Sequence, residues 1–277
     1  MKFSGHDTFH CRLFWLKKGY DYISSGNKFK DDTGVYIGVG RNMVNSIRFW
    51  LMAFGIADDN YNIKDLYKKL LDDSGWDPYI ENGGTLLLLH HELCTNNYAS
   101  SYNIIFREFR KVRPEFSKDN FVEYIKTLDS SVNENSLEKD FSVFLRMYGE
   151  TKNKIEDGYS GLLTELSFLQ ELGKNQNEKI LYRIENKSQQ DLPIEILLYC
   201  ILTNPDYGNS ISFKNFYSDK NGIGNIFCLD QDVLETKLEE LSDQYGEINY
   251  NSEAGVKELQ FKSKPDPFVV LNSYYYA

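Results

Sequence analysis

The sequence has few cysteines, no long apolar run and no excess of positive charge. Its four cysteines, at positions 11, 94, 200 and 228, form no CxxC pair and no short disulfide-like spacing, which is typical of reduced thiols in a cytoplasmic protein. The densest apolar run, at 85–89, is far shorter than the roughly 18 residues of a membrane-spanning helix. The first ten residues contain no apolar stretch of the secretory type. These absences favour a cytoplasmic protein with no membrane partner.

The net charge of −10 argues against nucleic-acid binding by the chain as a whole, but the charge is unevenly distributed. Residues 1–113 hold 15 Lys and Arg against 13 Asp and Glu, whereas residues 114–277 hold 16 against 28. A phosphate-binding surface needs local cations rather than a basic whole protein. If the chain binds DNA, we therefore expect residues 1–113 to bind it.

Hydrophobic periodicity predicts a mainly α-helical protein with small β-hairpins, an α+β fold in three parts. Residues 1–113 and residues 191–277 are each predicted to form a winged-helix-like domain, because a short helix, a longer helix and a hairpin signal follow one another. Residues 114–190 are predicted to join them as a helical middle segment. Within that segment we expect a helix over 162–172 and a strand over 180–184.

Residues 37–56 carry the strongest functional signal. Gly38 can adopt the left-handed backbone of a tight turn, and an amphipathic helix is predicted to follow. Its polar face presents Arg41, Asn45 and Arg48 at i, i+4 and i+7. In a major groove Arg pairs bidentately with guanine and Asn with adenine, so this row has the chemistry to read bases. Any amphipathic helix has a solvated face, however, and a winged helix can also serve only to dock a protein.

A second basic cluster lies at the end of a helix predicted over 102–112, and it consists of Arg107, Arg110, Lys111 and Arg113. These cations are expected to contact DNA phosphates or to steady the fold. The longer helix of the C-terminal domain is the opposite case, because it carries five acids against Lys237: Asp232, Glu235, Glu239, Glu240 and Asp243. Phosphates would repel such a helix, so a protein partner is the better expectation for it.

All four histidines and two cysteines form two short clusters: His6, His10 and Cys11, and His90, His91 and Cys94. Both residue types bind zinc, and two distant pairs can share one ion. The spacings match no standard zinc finger, and a helix would point His90 and His91 about 100° apart. Buried structural histidines are the better explanation, with zinc as the alternative. We predict no catalytic residue, no metal site and no cofactor.

Five stretches carry a resemblance to a known family: FSGHDTFHCRLFWLKKGYDYI at 3–23, GVGRNMVNSIRFWLMAFGI at 38–56, DPYIENGGTLLLLHHEL at 77–93, LEKDFSVFLRMYG at 137–149 and LPIEILLYCIL at 192–202. They resemble the bacterial family called domain of unknown function 4007. The resemblance implies a gene neighbour, a phosphoadenosine-phosphosulfate-reductase-like sulfurtransferase. Enzymes of that class take part in DNA phosphorothioate modification and in linked phage-defence systems. The resemblance implies a pathway and provides no catalytic residues.

Two functions remain open at this point. The leading hypothesis is a non-enzymatic, DNA-binding accessory protein of a phosphorothioate-type modification or phage-defence system. Its N-terminal part would bind double-stranded DNA, and its acidic half would dock a partner enzyme, the sulfurtransferase. The alternative is an interaction scaffold that never touches DNA, and the net charge of −10 favours it.

Overall fold

The computed structural model describes residues 1–30, 32–149, 160–187, 191–252 and 255–277. The chain divides into two units: residues 1–82 with 92–185, and residues 83–91 with 186–277. The fold is mainly α, with about 51% helix and two small antiparallel sheets of three strands among the described residues. The predicted α+β class is therefore confirmed at this level, whereas both winged-helix assignments stay predictions. The three-part division also stays a prediction, because contacts in one structure do not test whether a segment folds alone.

The helices that contribute to the first unit, in chain order, are α1 (Trp15–Ser24), α2 (Thr33–Ile37), α3 (Arg41–Ala53), α4 (Asp65–Leu71), the last residues of α5 (Gly83–Thr95), α6 (Ser100–Ile104), α7 (Arg110–Val112), α8 (Lys118–Leu128) and α9 (Glu134–Tyr148). A π-helical turn, Ile105–Phe109, joins α6 to α7. Ser117 caps α8, because its hydroxyl accepts from the Asn120 backbone N–H. Asn133 caps α9 in the same way.

The core of the first unit is aromatic. Trp50 meets Tyr102 edge to face at 5.9 Å, and Phe106 lies 5.0 Å from Tyr148. Helix α1 can approach α3 closely because Gly19 has no side chain: a Cβ there would lie 2.9 Å from Ile47 Cγ2. Aromatic pairs of this kind add stabilisation beyond the area that they bury. This packing fixes one face of α3 and leaves its opposite face to solvent.

The middle of the sequence is not purely helical. Strand β1 (Glu115–Phe116), strand β2 (Gln170–Lys174) and strand β3 (Ile180–Arg183) form an antiparallel sheet in the order β1-β3-β2. The strand predicted over 180–184 is confirmed, but the helix predicted over 162–172 is wrong. That stretch makes a single 3-10 turn, Thr164–Leu166, and then turns through Ser167, whose φ is +51°. Leu162, Leu163 and Phe168 are buried although the segment that carries them is irregular. Pairing with β3 extends the chain from Gln170 onward.

The described residues of the second unit form eight elements after α5: α10 (Ile194–Thr203), β4 (Ser210–Ser212), α11 (Phe213–Tyr217), α12 (Ile223–Ile226), α13 (Gln231–Gln244), the hairpin strands β5 (Ile248–Asn251) and β6 (Glu258–Phe261), and α14 (Pro267–Tyr275). The sheet order is β4-β6-β5, with Leu259 opposite both Ile211 and Tyr250. The short helix, the longer helix and the hairpin predicted in that order for the C-terminal domain are thus confirmed as α11, α13 and β5 with β6. Residues 253 and 254 of the hairpin connection lie outside the described residues.

Across the described residues, no helix combines the length and the apolar content that crossing a membrane requires. All four cysteines are reduced and buried. Burial also raises the pKa of the Cys11 thiol well above its usual value, which lowers the fraction of reactive thiolate.

We therefore expect a thiol-specific chromogenic reagent to label none of the four cysteines of the native protein within minutes. In guanidinium chloride all four should react, because unfolding exposes them. Counting the released chromophore under both conditions checks the expectation. Rapid labelling of any cysteine in the native state would contradict the buried positions described above.

Candidate nucleic-acid interface

A short helix, a tight turn and a longer helix place the predicted polar row on the surface. Helix α2 ends at Gly38, whose φ of +69° lies in the left-handed region that glycine adopts without strain. Gly40 then precedes α3 in an extended conformation. Along α3, Val44, Ile47 and Trp50 are buried, because apolar residues three or four apart share one face of a helix. The opposite face is exposed.

Arg41, Asn45 and Arg48 all lie on that exposed face. The Asn45 amide donates from Nδ2 to Asp7 Oδ2 at 3.2 Å, and the Arg48 guanidinium carbon lies 5.7 Å from the centre of the Tyr61 ring. A carboxylate can only accept, so this contact fixes which end of the Asn45 amide is the NH₂ group. One N–H and the carbonyl oxygen of the amide stay available, and this pair is the one that adenine recognition uses.

The loop that supplies Asp7 has an unusual backbone. Ser4, Gly5, Asp7 and Thr8 have φ values of +66°, +105°, +43° and +64°. Three of these four are not glycine, and non-glycine residues enter the left-handed region at a cost. Contacts with the surrounding helices must therefore hold residues 4–8 in place.

Asp140 of α9 is the main contact for this loop. Its Oδ1 accepts from His6 Nε2 and from the Ser4 backbone N–H, both at 2.8 Å, and its Oδ2 accepts from Ser101 Oγ at 2.8 Å. His6 and Asp140 are buried, and the imidazole stacks on Trp50 with a centroid separation of 5.9 Å. Three charge-assisted hydrogen bonds to one buried carboxylate are stronger than neutral ones. The pair therefore anchors the loop to the core.

Helix α3 holds the loop from its other side. Ser46 Oγ donates to the His6 carbonyl at 2.8 Å, and Trp50 Nε1 donates to the Phe9 carbonyl at 3.1 Å. Arg146 of α9 donates to the Thr8 carbonyl. The loop thus lies between α3 and α9, with Asp7 and Thr8 exposed beside the polar row.

The second basic cluster is divided by the fold. Arg110 is only 6% exposed, and its Nε donates to the Phe106 carbonyl at 3.1 Å within the π-helical region. Arg107 is half-buried, whereas Lys111 and Arg113 are exposed. The last two are thus the exposed members of this cluster. The buried Arg110 guanidinium fits the other role expected for this cluster, which is to steady the fold.

His6, His90 and His91 contact groups of the protein core through hydrogen bonds or ring stacking. His6 bonds Asp140 as described, and His90 Nε2 donates to the Ile226 carbonyl at 2.7 Å. His91 stacks on Phe227 with centroids 5.8 Å apart. Within the described ranges, no group of three or more His, Cys, Asp or Glu side chains is arranged to hold a metal ion. The expectation of buried, hydrogen-bonded histidines is confirmed for His6 and His90.

The acidic helix α13 has its charges partly engaged within the second unit. Glu235 accepts from Lys257 Nζ at 2.6 Å and from the Tyr250 hydroxyl at 3.3 Å. Burial, together with the adjacent carboxylate, raises the pKa of Tyr250. Lys237 pairs with Glu240 at 3.0 Å. Glu239 and Asp243 extend the acidic surface of the helix, and no cation of α13 itself balances them.

The sequence patterns did not identify Asp7, Tyr61 or Asp140 as parts of this surface. Asp140 meets His6 across 134 positions of the sequence, and a single acid on a helix carries no local signal. Tyr61 lies within a loop closed by an antiparallel bridge between Ala57 and Ile63, which is smaller than the hairpin predicted for the N-terminal domain. A tyrosine in such a turn is equally unremarkable in sequence.

Comparison with known proteins gives one family and two similar structures. The model of the family described as "Protein of unknown function (DUF4007)" matches residues 3–275. A magnesium-ion-bound crystal structure of SspB is 27% identical with a TM-score of 0.86, and a second SspB crystal structure is 26% identical with a TM-score of 0.85. Each alignment covers 99% of this chain and 88% of SspB. No curated protein matches the sequence.

Proposed function

The chain belongs to the DUF4007 family, and on that premise we propose that it is a DNA-binding component of a phosphorothioate-type DNA modification or phage-defence system. The first unit would bind double-stranded DNA with helix α3 in the major groove. No residue is assigned a catalytic role. The acidic part of the chain would dock a partner enzyme of the same system, a sulfurtransferase.

One observation carries the proposal: Arg41, Asn45 and Arg48 are exposed on the helix that follows the Gly38 turn. The turn joins the short helix α2 to the longer helix α3, and this is the order of elements in a helix-turn-helix. Because one face of α3 is packed in the core, the backbone that carries the three side chains is already ordered before DNA binds. Binding therefore costs little additional backbone entropy. Guanidinium and amide groups at this spacing match the base edges of the major groove.

Phosphate contacts would come from cations near the row and from the second cluster. Lys111 and Arg113 are exposed and can take this role, as can Arg107 in part. Arg110 is given the structural role described above. Phosphate contacts position a protein on the duplex, whereas base contacts give sequence preference. The two sets of side chains therefore have separable effects.

We also propose that residues 191–277 form a winged helix that binds protein rather than DNA. The order α10, β4, α11, α13, β5 and β6, with β4 paired to β6, supports the first half of this proposal. The acids of α13 support the second half, because they would repel phosphates and attract a basic protein surface.

The magnesium ion in the SspB structure raises a separate question of metal binding. The described part of this chain assembles no cluster of His, Cys, Asp or Glu ligands, whereas magnesium is usually held by one or two carboxylates together with water or phosphate. We assign no magnesium site to the described residues.

Duplex binding by the full chain across salt concentrations tests the proposal. Fluorescence anisotropy with a labelled duplex should give an affinity that falls about 10- to 150-fold between about 50 and 200 mM salt, as expected if two to four phosphates are neutralised. The competing scaffold hypothesis rests on the acidic α13 and on the net charge of −10. Absence of duplex binding at the lowest salt, with retention of the sulfurtransferase in a pull-down, would support the scaffold instead.

A further inference from the structure

A second surface in the first unit combines exposed aromatic rings with cations. It is a cleft of about 330 Å³ lined by Tyr22 at the end of α1, by Lys28 and Lys30 of the following connection, and by Asp32 and Tyr36. Tyr36 lies on α2, and 73% of its surface is exposed. An aromatic ring so exposed beside a cleft has a free face that water solvates poorly.

The cleft continues into the polar row of α3 through a series of ring contacts. Tyr36 lies 6.5 Å from Tyr22, Tyr22 lies 5.3 Å from Phe29, and Phe29 lies 5.7 Å from Tyr61, measured between ring centroids. The Arg48 guanidinium lies over the same Tyr61 ring. The series of rings therefore runs from Tyr36 to Tyr61, and Tyr61 contacts Arg48 of the proposed duplex-reading helix.

Hydrogen bonds hold the cleft open without covering Tyr36. The Tyr22 hydroxyl donates to the Lys28 carbonyl at 3.2 Å and bonds Thr33 Oγ1 at 3.1 Å. The Lys30 backbone N–H donates to the same Thr33 oxygen at 2.7 Å. A rigid aromatic platform loses little entropy when it binds a flat ligand. Among the described residues the Tyr36 hydroxyl makes no hydrogen bond, so no hydrogen bond ties its ring to residues 25–32.

The charges at the cleft favour an anionic ligand. Lys28 and Lys30 are exposed on the connection, and Asp32 is the acidic side chain that lines the cleft. Asp31 lies outside the described residues. Two flexible ammonium groups next to stacked rings are the combination with which proteins hold single-stranded nucleic acid, where cations follow the backbone and rings stack on the bases.

We propose that this cleft binds an unpaired nucleotide of DNA, with the base stacked on Tyr36 and with the flanking phosphates held by Lys28 and Lys30. The site extends the proposed function and rests on it, because ring contacts link the cleft to Arg48 of the helix that would read the duplex. Bases inside a duplex are stacked on one another, so only a single strand or an extrahelical base can reach the ring. The ligand class is therefore single-stranded or locally opened DNA.

Replacing Tyr36 by alanine tests the site, and Val35→Ala is the matched control. Val35 is the neighbouring residue of the same helix, is 84% exposed and does not line the cleft. Stacking of one base on an aromatic side chain corresponds to about a 5- to 150-fold change in affinity. We expect Tyr36→Ala to weaken binding of a labelled single strand by that factor in an anisotropy titration. Tyr36→Phe, which keeps the ring, should bind the strand as the wild type does.

A fully paired duplex is the second probe, and it separates this proposal from the proposed function. Tyr36→Ala should bind the duplex as well as the wild type does, because paired bases cannot reach the ring. Unchanged single-strand affinity in Tyr36→Ala would overturn the cleft assignment while leaving duplex binding intact. Loss of duplex and single-strand affinity together, with Val35→Ala unaffected, would also overturn it, because the substitution would then act on the whole interface.

Photocross-linking gives a readout that a purely structural role of Tyr36 would not change. A single strand carrying 5-iododeoxyuridine reacts on irradiation with an aromatic ring that stacks on it. We expect mass spectrometry of the digested wild-type complex to place the cross-link on the peptide containing Tyr36. Cross-links confined to other peptides would contradict the proposal, as would binding of a basic peptide at this cleft in place of the strand.

Discussion

Replacing Asp140 by alanine is expected to lower the free energy of unfolding of the first unit by about 3–5 kcal/mol. The substitution removes the acceptor for His6 Nε2, for the Ser4 backbone N–H and for Ser101 Oγ at once. A buried donor that has no acceptor destabilises the folded state, because it has given up its hydrogen bonds to water and gains none in return. The loop of residues 4–8, whose positive φ values are strained, would also lose the contact that offsets this strain.

Tryptophan fluorescence during urea unfolding measures this change in the relevant part of the molecule. Trp15, Trp50 and Trp76 all lie in the first unit, so their transition reports that unit alone. Asp65→Ala serves as the control, because Asp65 forms an exposed ion pair with Lys68 on α4, and exposed pairs contribute little to stability. Asp140→Asn should fall between the two, since its carbonyl oxygen can still accept hydrogen bonds, whereas the NH₂ group that replaces the other oxygen cannot. A transition of Asp140→Ala that coincides with the control would refute the anchoring role of Asp140.

Replacing both Arg41 and Arg48 by alanine is expected to lower affinity for a preferred duplex by about 30- to 10,000-fold. The factor follows from two bidentate contacts with base pairs, each contributing about 1–2.8 kcal/mol of discrimination. Both arginines are exposed on α3, so their removal opens no cavity and should leave the unfolding transition near that of the wild type. The loss would therefore report binding rather than folding.

Two sets of variants make this second experiment specific. Lys214→Ala with Lys262→Ala removes the same number of exposed cations from the second unit, and duplex affinity should change little. Arg41→Lys with Arg48→Lys keeps the charge but cannot form the planar two-bond contact. That variant should retain the salt dependence of binding while losing preference between duplexes. Equal losses in the Lys214/Lys262 variant would indicate a general charge effect and would contradict the assignment to α3.

Local sequence patterns were sufficient for the elements that are stabilised locally. Helix α3 could be predicted because Gly38 marks the turn and because apolar residues recur every three to four positions after it. The C-terminal hairpin follows in the same way from strict alternation of apolar and polar residues. In each case the side chains that specify the element are close in the sequence.

Other features depend on partners that no local pattern reveals. Leu162, Leu163 and Phe168 are buried, and the sequence around them predicts a helix, yet the segment that carries them is irregular. The reason is that Ser167 turns the chain and that Gln170 pairs with Arg183 of β3. The same limit applies to the candidate site. The exposed row of α3 was predictable, but its contacts with Asp7 and Tyr61, and the anchoring of the loop by Asp140, arise only in the folded chain.

The preference between two duplexes is the most direct test of the claim that α3 reads bases. The preferred duplex is first selected from a randomised pool by the wild-type protein, and its affinity is then compared with that of a scrambled duplex. The wild type should prefer the selected duplex, and the Arg41→Ala, Arg48→Ala variant should bind both duplexes with nearly equal affinity. If the variant keeps the wild-type ratio of affinities, the row on α3 does not read DNA sequence.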